Sequence, residues 1–154
     1  VSTPFELAHS AKHLPRLYEK RLLARMKNKM RQKLLNGLAL PVTLKELNQI
    51  NSIWSFDDQI TAPLYGYENA EDYYTQASSR NKLRQLQTPT LLINAIDDPF
   101  VPKASLPKAT ELARGTELYL TPTGGHLGFS ANEGLWNRAY WPQDLIVKYC
   151  QSAI

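Results

Sequence analysis

Apolar positions follow a helical period over the first half of the chain and a shorter, continuous pattern after it. Between Pro15 and Asn36, at about 100° per residue, Tyr18, Leu22, Leu23, Met26, Met30 and Leu34 fall in one half of the helical wheel. Lys20, Arg21, Arg25, Lys27 and Arg31 fall in the other. This predicts a long amphipathic helix, stopped by Asn36-Gly37. Thr43-Leu44-Lys45-Glu46 has the form of a capping box and predicts a short helix to about Ile50. Trp54 to Tyr67 reads as an irregular, aromatic-rich stretch, in which Asp57 and Asp58 have no histidine or third carboxylate nearby and are expected to cap or order the backbone. Asn69, as N-cap, opens a further helix to Ser78, with Glu71 and Asp72 in its first turn and Tyr73 and Tyr74 available for packing. Asn81 to Leu86 is a brief helix leading to Pro89.

After Pro89 the pattern changes. Thr90 to Asn94 is a short apolar run opened by a proline, which suits a strand buried on both faces of a parallel sheet. Thr116 to Leu120 is a second strand. Between them Ser105 to Arg114 has a helix-like composition, with Pro107 near its start and Gly115 past its end. A βαβ unit follows from this order, and its right-handed crossover makes the strands parallel with both downstream loops on one sheet edge. Asp97 and Asp98 end the first strand, and the glycine-flanked His126 follows the second, so Asp98 and His126 should face each other. An imidazole that donates one nitrogen to a carboxylate can exchange a proton through the other, as a serine hydrolase requires. A loop histidine satisfying a backbone group is the alternative. After Ser130–Arg138, read as a polar loop, Trp141-Pro142 opens a last helix, with Leu145, Ile146, Tyr149 and Cys150 expected to pack.

Charge changes this picture at one place. The 154 residues carry a net +4 and are 43% hydrophobic. Residues 12–33 hold nine basic side chains against the single acid Glu19, a net +8, so the rest of the chain is at −4. The basic helix over residues 16–35 is read as the solvated side of a lid, or as a contact for a lipid surface or anionic substrate. Nucleic acid is not expected, because interleaved aromatics and a recognisable binding fold are missing. The single cysteine excludes an internal disulfide and points to a reducing, cytoplasmic compartment, with membrane attachment as the variant. No apolar run reaches the roughly 18 residues of a span. His9 and His13 are spaced i, i+4, but the glutamate of a zinc-protease motif is absent and no metal is expected. Cys150 has no local base and is read as a small core residue.

The proline, apolar strand, small residue Ala95, then Asp98 and Val101-Pro102, completed by Gly124-Gly125-His126, resemble the acid and base ends of an α/β-hydrolase. Phe56 to Tyr74, Ser78-Ser79, DDPFVP and GGHLGF together resemble the YheT-like branch, the abhydrolase type 4 family of ester and lipid hydrolases. The resemblance selects Asp98 over Asp97 as the triad acid, with His126 as the base and no cofactor. It implies the C-terminal part of an α/β-hydrolase fold, the last two parallel strands with flanking helices, over residues 86–154. Residues 1–85 would be a helical cap, in which Tyr65 and Tyr67 could meet an acyl chain. Family members place the nucleophile earlier, in G-x-S-x-G, and no such motif occurs here. Val1-Ser2-Thr3-Pro4 resembles the end of the sixth strand. The expectation is therefore part of a serine-type carboxylic ester hydrolase, silent by itself and dependent on an N-terminal half of the same protein. A non-catalytic binding or interaction module is the competing reading.

Overall fold

The computed structural model describes residues 1–129, 131–132, 138–139 and 141–152. It divides into two compact units, Ala11–Ala77 and the combination of Val1–Ser10 with Ser78–Ile154. Helix α1 (Leu7–His13) carries the chain from one to the other.

The unit Ala11–Ala77 is helical. Helix α2 (Arg16–Leu35) ends as its sequence predicts: Gly37 takes φ +80°, Leu38 N–H donates to the Lys33 carbonyl and Gly37 N–H to that of Leu34. These two bonds satisfy carbonyls left over by the last turn. Helix α3 (Leu44–Gln49) begins with the predicted box, Thr43 Oγ1 accepting from Glu46 N–H and Glu46 Oε2 from Thr43 N–H. The bond from Thr43 N–H, and after it one that the Thr43 hydroxyl donates to the same oxygen at 2.8 Å, favour the charged carboxylate and lower the Glu46 pKa. Leu23, Val42, Leu47, Ile50, Ile53, Phe56 and Ile60 form the core, with Met26, Met30 and Leu34 packed against it.

The stretch expected to be irregular is helical. Helix α4 (Ile53–Phe56) continues through a π-turn (Asp57–Thr61) into α5 (Ala62–Tyr65) and stops at Gly66, φ +79°. The wider turn aims the buried Asp57 at two hydroxyls, Tyr74 at 2.5 Å and Thr61 at 2.6 Å. Burial, and then the bond to Asp57, push the Tyr74 phenol well above its ordinary range. Asp58 accepts from Ala70 N–H at the start of α6 (Ala70–Ala77), where Asn69 Oδ1 accepts from Asp72 N–H. Both aspartates thus order backbone and side chains.

The other unit contains the sheet. Strands β1 (Thr90–Ala95) and β2 (Thr116–Thr121) pair in parallel, Thr90 opposite Thr116 through Ala95 opposite Thr121. Thr90 and Ile96 donate to Gly115 and Thr121, so the even-numbered peptide groups of β1 serve β2 and the odd-numbered ones face the other edge. On that edge Ser2 N–H donates to Ile93 O at 2.7 Å. The crossover helix predicted over 105–114 is absent: two short 3₁₀ turns stand there instead, Lys103–Ser105 at its start and Ala109–Glu111 within it. Pro107 explains this, because proline disfavours a helical residue before it and Leu106 is extended at ψ 138°. The brief helix before β1 is likewise a 3₁₀ segment, Arg80–Gln85.

Short strands β3 (Ala131–Asn132) and β4 (Arg138–Ala139) pair antiparallel. The rest of the polar loop expected there lies outside the described residues. Helix α7 (Trp141–Ser152) places Leu145 and Ile146 against Ile93, Ala95 and Phe129. Cys150, expected in this core, is exposed. At 100° per residue it stands about 90° from the centre of the Leu145, Ile146, Tyr149 stripe.

Candidate active site

Each loop that follows a strand brings one polar side chain to the same point. The Asp98 side chain is fully buried, and its position is fixed locally: Oδ1 accepts the N–H groups of Phe100 at 2.8 Å and Val101 at 3.3 Å. An aspartate two residues before the amide it bonds makes an Asx-turn, which the following prolines favour. Its Oδ2 lies 2.9 Å from His126 Nδ1. An ionised carboxylate only accepts, so in the neutral imidazole Nδ1 carries the proton and Nε2 presents a lone pair. The ring is about one third exposed and meets the Phe100 ring edge-on, centroids 4.8 Å apart. A half-open imidazole with one nitrogen held can move a proton at the other.

The His126 loop is anchored by contacts that the sequence reading missed. Asp97 Oδ1 accepts from Gly125 N–H at 2.9 Å, so both adjacent aspartates reach across to the second loop, one to the backbone and one to the ring. Ser2 Oγ donates to the His126 carbonyl; this residue is buried at φ +53°. A Cβ on Gly124 would stand 2.8 Å from Phe129 Cδ1 and 3.1 Å from Ala95 Cβ. Phe129 N–H closes the loop onto Gly124 O. A serine 124 residues away leaves no local pattern by which it could be found, whereas the doubled aspartate does carry a signal.

His9 Nδ1 pairs with Glu6 at 2.5 Å, and no group of three metal-binding side chains occurs among the described residues. Tyr65 is exposed, and Tyr67 packs on Tyr73 at 5.3 Å. No helix among the described residues is long and apolar enough to cross a membrane.

The sequence profile of the alpha/beta hydrolase fold family matches residues 11–132. "Putative esterase YheT" of Escherichia coli (strain K12) is 40% identical over 134 residues, 84% of this chain and 39% of the relative. "Monoacylglycerol lipase" of Saccharomyces cerevisiae is 34% identical over 140 residues, 84% of this chain and 31% of the relative. "Phospholipase ABHD3" of Mus musculus is 36% identical over 108 residues, 70% and 26% of the two chains. The chain thus spans about two fifths or less of the length of these relatives. No solved structure matches it significantly.

Proposed function

The chain belongs to the α/β-hydrolase family, and from that premise we propose that it supplies the acid and base of a serine-type hydrolase of carboxylic esters, lipid esters among them.

 The observation that carries this reading is the 2.9 Å contact between His126 Nδ1 and the wholly buried Asp98, at the carboxyl ends of two parallel strands. The esterase, lipase and phospholipase names of the relatives support the substrate class.

In this mechanism a serine from outside residues 1–154 attacks the ester carbonyl carbon while His126 Nε2 takes the hydroxyl proton. Asp98 stabilises the imidazolium that forms. Collapse of the tetrahedral adduct breaks the bond to the alcohol, which leaves with the proton from Nε2. Water then attacks the acyl-enzyme with the same base, and the acid and free serine result. The remaining strands of the sheet add, in this reading, along the β1 edge to which Leu91, Ile93 and Ala95 turn their peptide groups. The helices of Ala11–Ala77 serve as the cap, a narrower span than the expected 1–85 because Phe5 and Leu83 pack with Val101 and Leu106 in the sheet unit, and residues 1–154 alone are silent.

The test uses the full-length protein and a fluorophosphonate probe. Native protein is labelled and heat-denatured protein is not, while His126→Ala and Asp98→Asn lower kcat by on the order of 10⁴ with the fold retained. Absence of labelling on native protein, or turnover that survives in His126→Ala, refutes the assignment and leaves a non-catalytic module.

A further inference from the structure

Helix α2 is wider in its chemistry than its packing requires. Its inner side is used by Leu23, which is buried, and by Met26, Met30 and Leu34 against the helical core. Two of its cations are used as well: Lys27 Nζ donates to the carbonyls of Asn48 at 3.0 Å and Ile50 at 2.6 Å, and Arg31 Nη2 to Asn48 Oδ1 at 2.7 Å. The stripe drawn from the sequence therefore splits. Tyr18 and Leu22, which belong to it on the wheel, are 58% and 41% exposed, and Leu17 is 83% exposed.

These three side chains, with Arg21 and Arg25, line a shallow groove of about 440 Å³. Arg16, Lys20, Arg21, Arg25, Lys29 and Lys33 are all exposed and form no ion pair among the described residues. A single exposed leucine needs no explanation. Three large apolar side chains within two turns, set between guanidinium groups in a segment of net +8, match the composition of a helix that lies in a membrane interface.

We propose that the outward face of α2 docks on an anionic lipid bilayer. Arg21, Arg25 and their basic neighbours meet the headgroup phosphates, while Leu17, Tyr18 and Leu22 enter the boundary beneath them. The apolar area is small, so charge supplies most of the attraction and salt weakens it. A duplex nucleic acid would use the cations but leave the leucines in water, which favours lipid. The proposal rests on α2 and not on Asp98 or His126, so the two readings fail separately.

Flotation of this chain with vesicles of phosphatidylcholine, with or without phosphatidylserine, tests it. Binding is expected only with phosphatidylserine and falls as sodium chloride rises. Arg21→Glu with Arg25→Glu lowers partitioning by about tenfold or more, with an unchanged circular dichroism spectrum. Lys29→Gln with Lys33→Gln gives a smaller loss, and Leu17→Ser with Leu22→Ser removes the binding that persists at high salt. No binding to phosphatidylserine vesicles, or undiminished binding by both charge variants, overturns the proposal. Retention on duplex DNA as strong as on vesicles at the same salt also overturns it, in favour of nucleic acid.

Discussion

At the scale of single residues, Gly124 and Gly125 are adjacent glycines required for different reasons. Gly125 has φ +60° with open space around its α-carbon, so a side chain there meets backbone strain alone. Gly124 has Phe129 and Ala95 where a methyl would go. Gly125→Ala should cost roughly 1 kcal/mol, and Gly124→Ala about 1–3 kcal/mol through overpacking. Denaturant unfolding of the two variants gives that order, and equal losses would contradict it. Asp97→Ala removes the acceptor for Gly125 N–H, and in the full-length protein should lower kcat more than KM because it acts through the placement of His126. The meeting of Asp98 with His126 was legible, since parallel strands put their following loops on one edge. The anchoring by Asp97 and Ser2 was not: a side chain bonded to distant backbone imposes no spacing on the sequence.

At the scale of elements, the informative pair is α2 with α3. Thr43 and Glu46 announced where α3 starts, because a capping box is a contact between neighbours in sequence. How α3 ends was hidden. Lys27, which the wheel places among the solvated bases, supplies a cation to the carbonyls at its last turn. Lys27→Met should therefore lower the stability of the helical unit by about 1–2 kcal/mol, whereas Lys29→Met should change it little. Thermal melts of the two variants make the comparison, and equal melting points would remove Lys27 from its capping role. The crossover between β1 and β2 shows the opposite case, in which a local signal was present but outweighed: Pro107 decides against the helix that the composition around it favours.

At the scale of the molecule, the unit that carries the site is tied by one cation. Arg80 makes a two-pronged contact with Glu111, Nε to Oε1 at 2.9 Å and Nη2 to Oε2 at 3.0 Å, and reaches Glu6 at 2.9 Å. It joins the amino-terminal segment, the 3₁₀ segment before β1 and the crossover. Hydrogen bonds from Arg80, then from Lys108 N–H, hold the Glu111 carboxyl at about 2 against an ordinary 4.5. The folded pKa is the lower one, so the stabilisation is complete above 4.5 and is lost as pH falls towards 2. Arg80→Leu should lower the melting temperature by a few degrees at about pH 7, and the difference from the parent chain should narrow through that acid window. A difference constant with pH would show that the ion pair contributes nothing.

The sequence by itself determined what depends on neighbours and on period: the helix stops and caps, the two strands and their parallel order, and the carboxylate and imidazole at one edge. Tertiary structure decided which members of an apolar stripe are covered, since Leu23 and Leu22 are equivalent in composition and only the position of the other helices separates them. It also decided that Cys150 faces out and that Lys27 is a cap, because burial and long-range hydrogen bonds are properties of the space between elements, which the order of residues along one element does not contain.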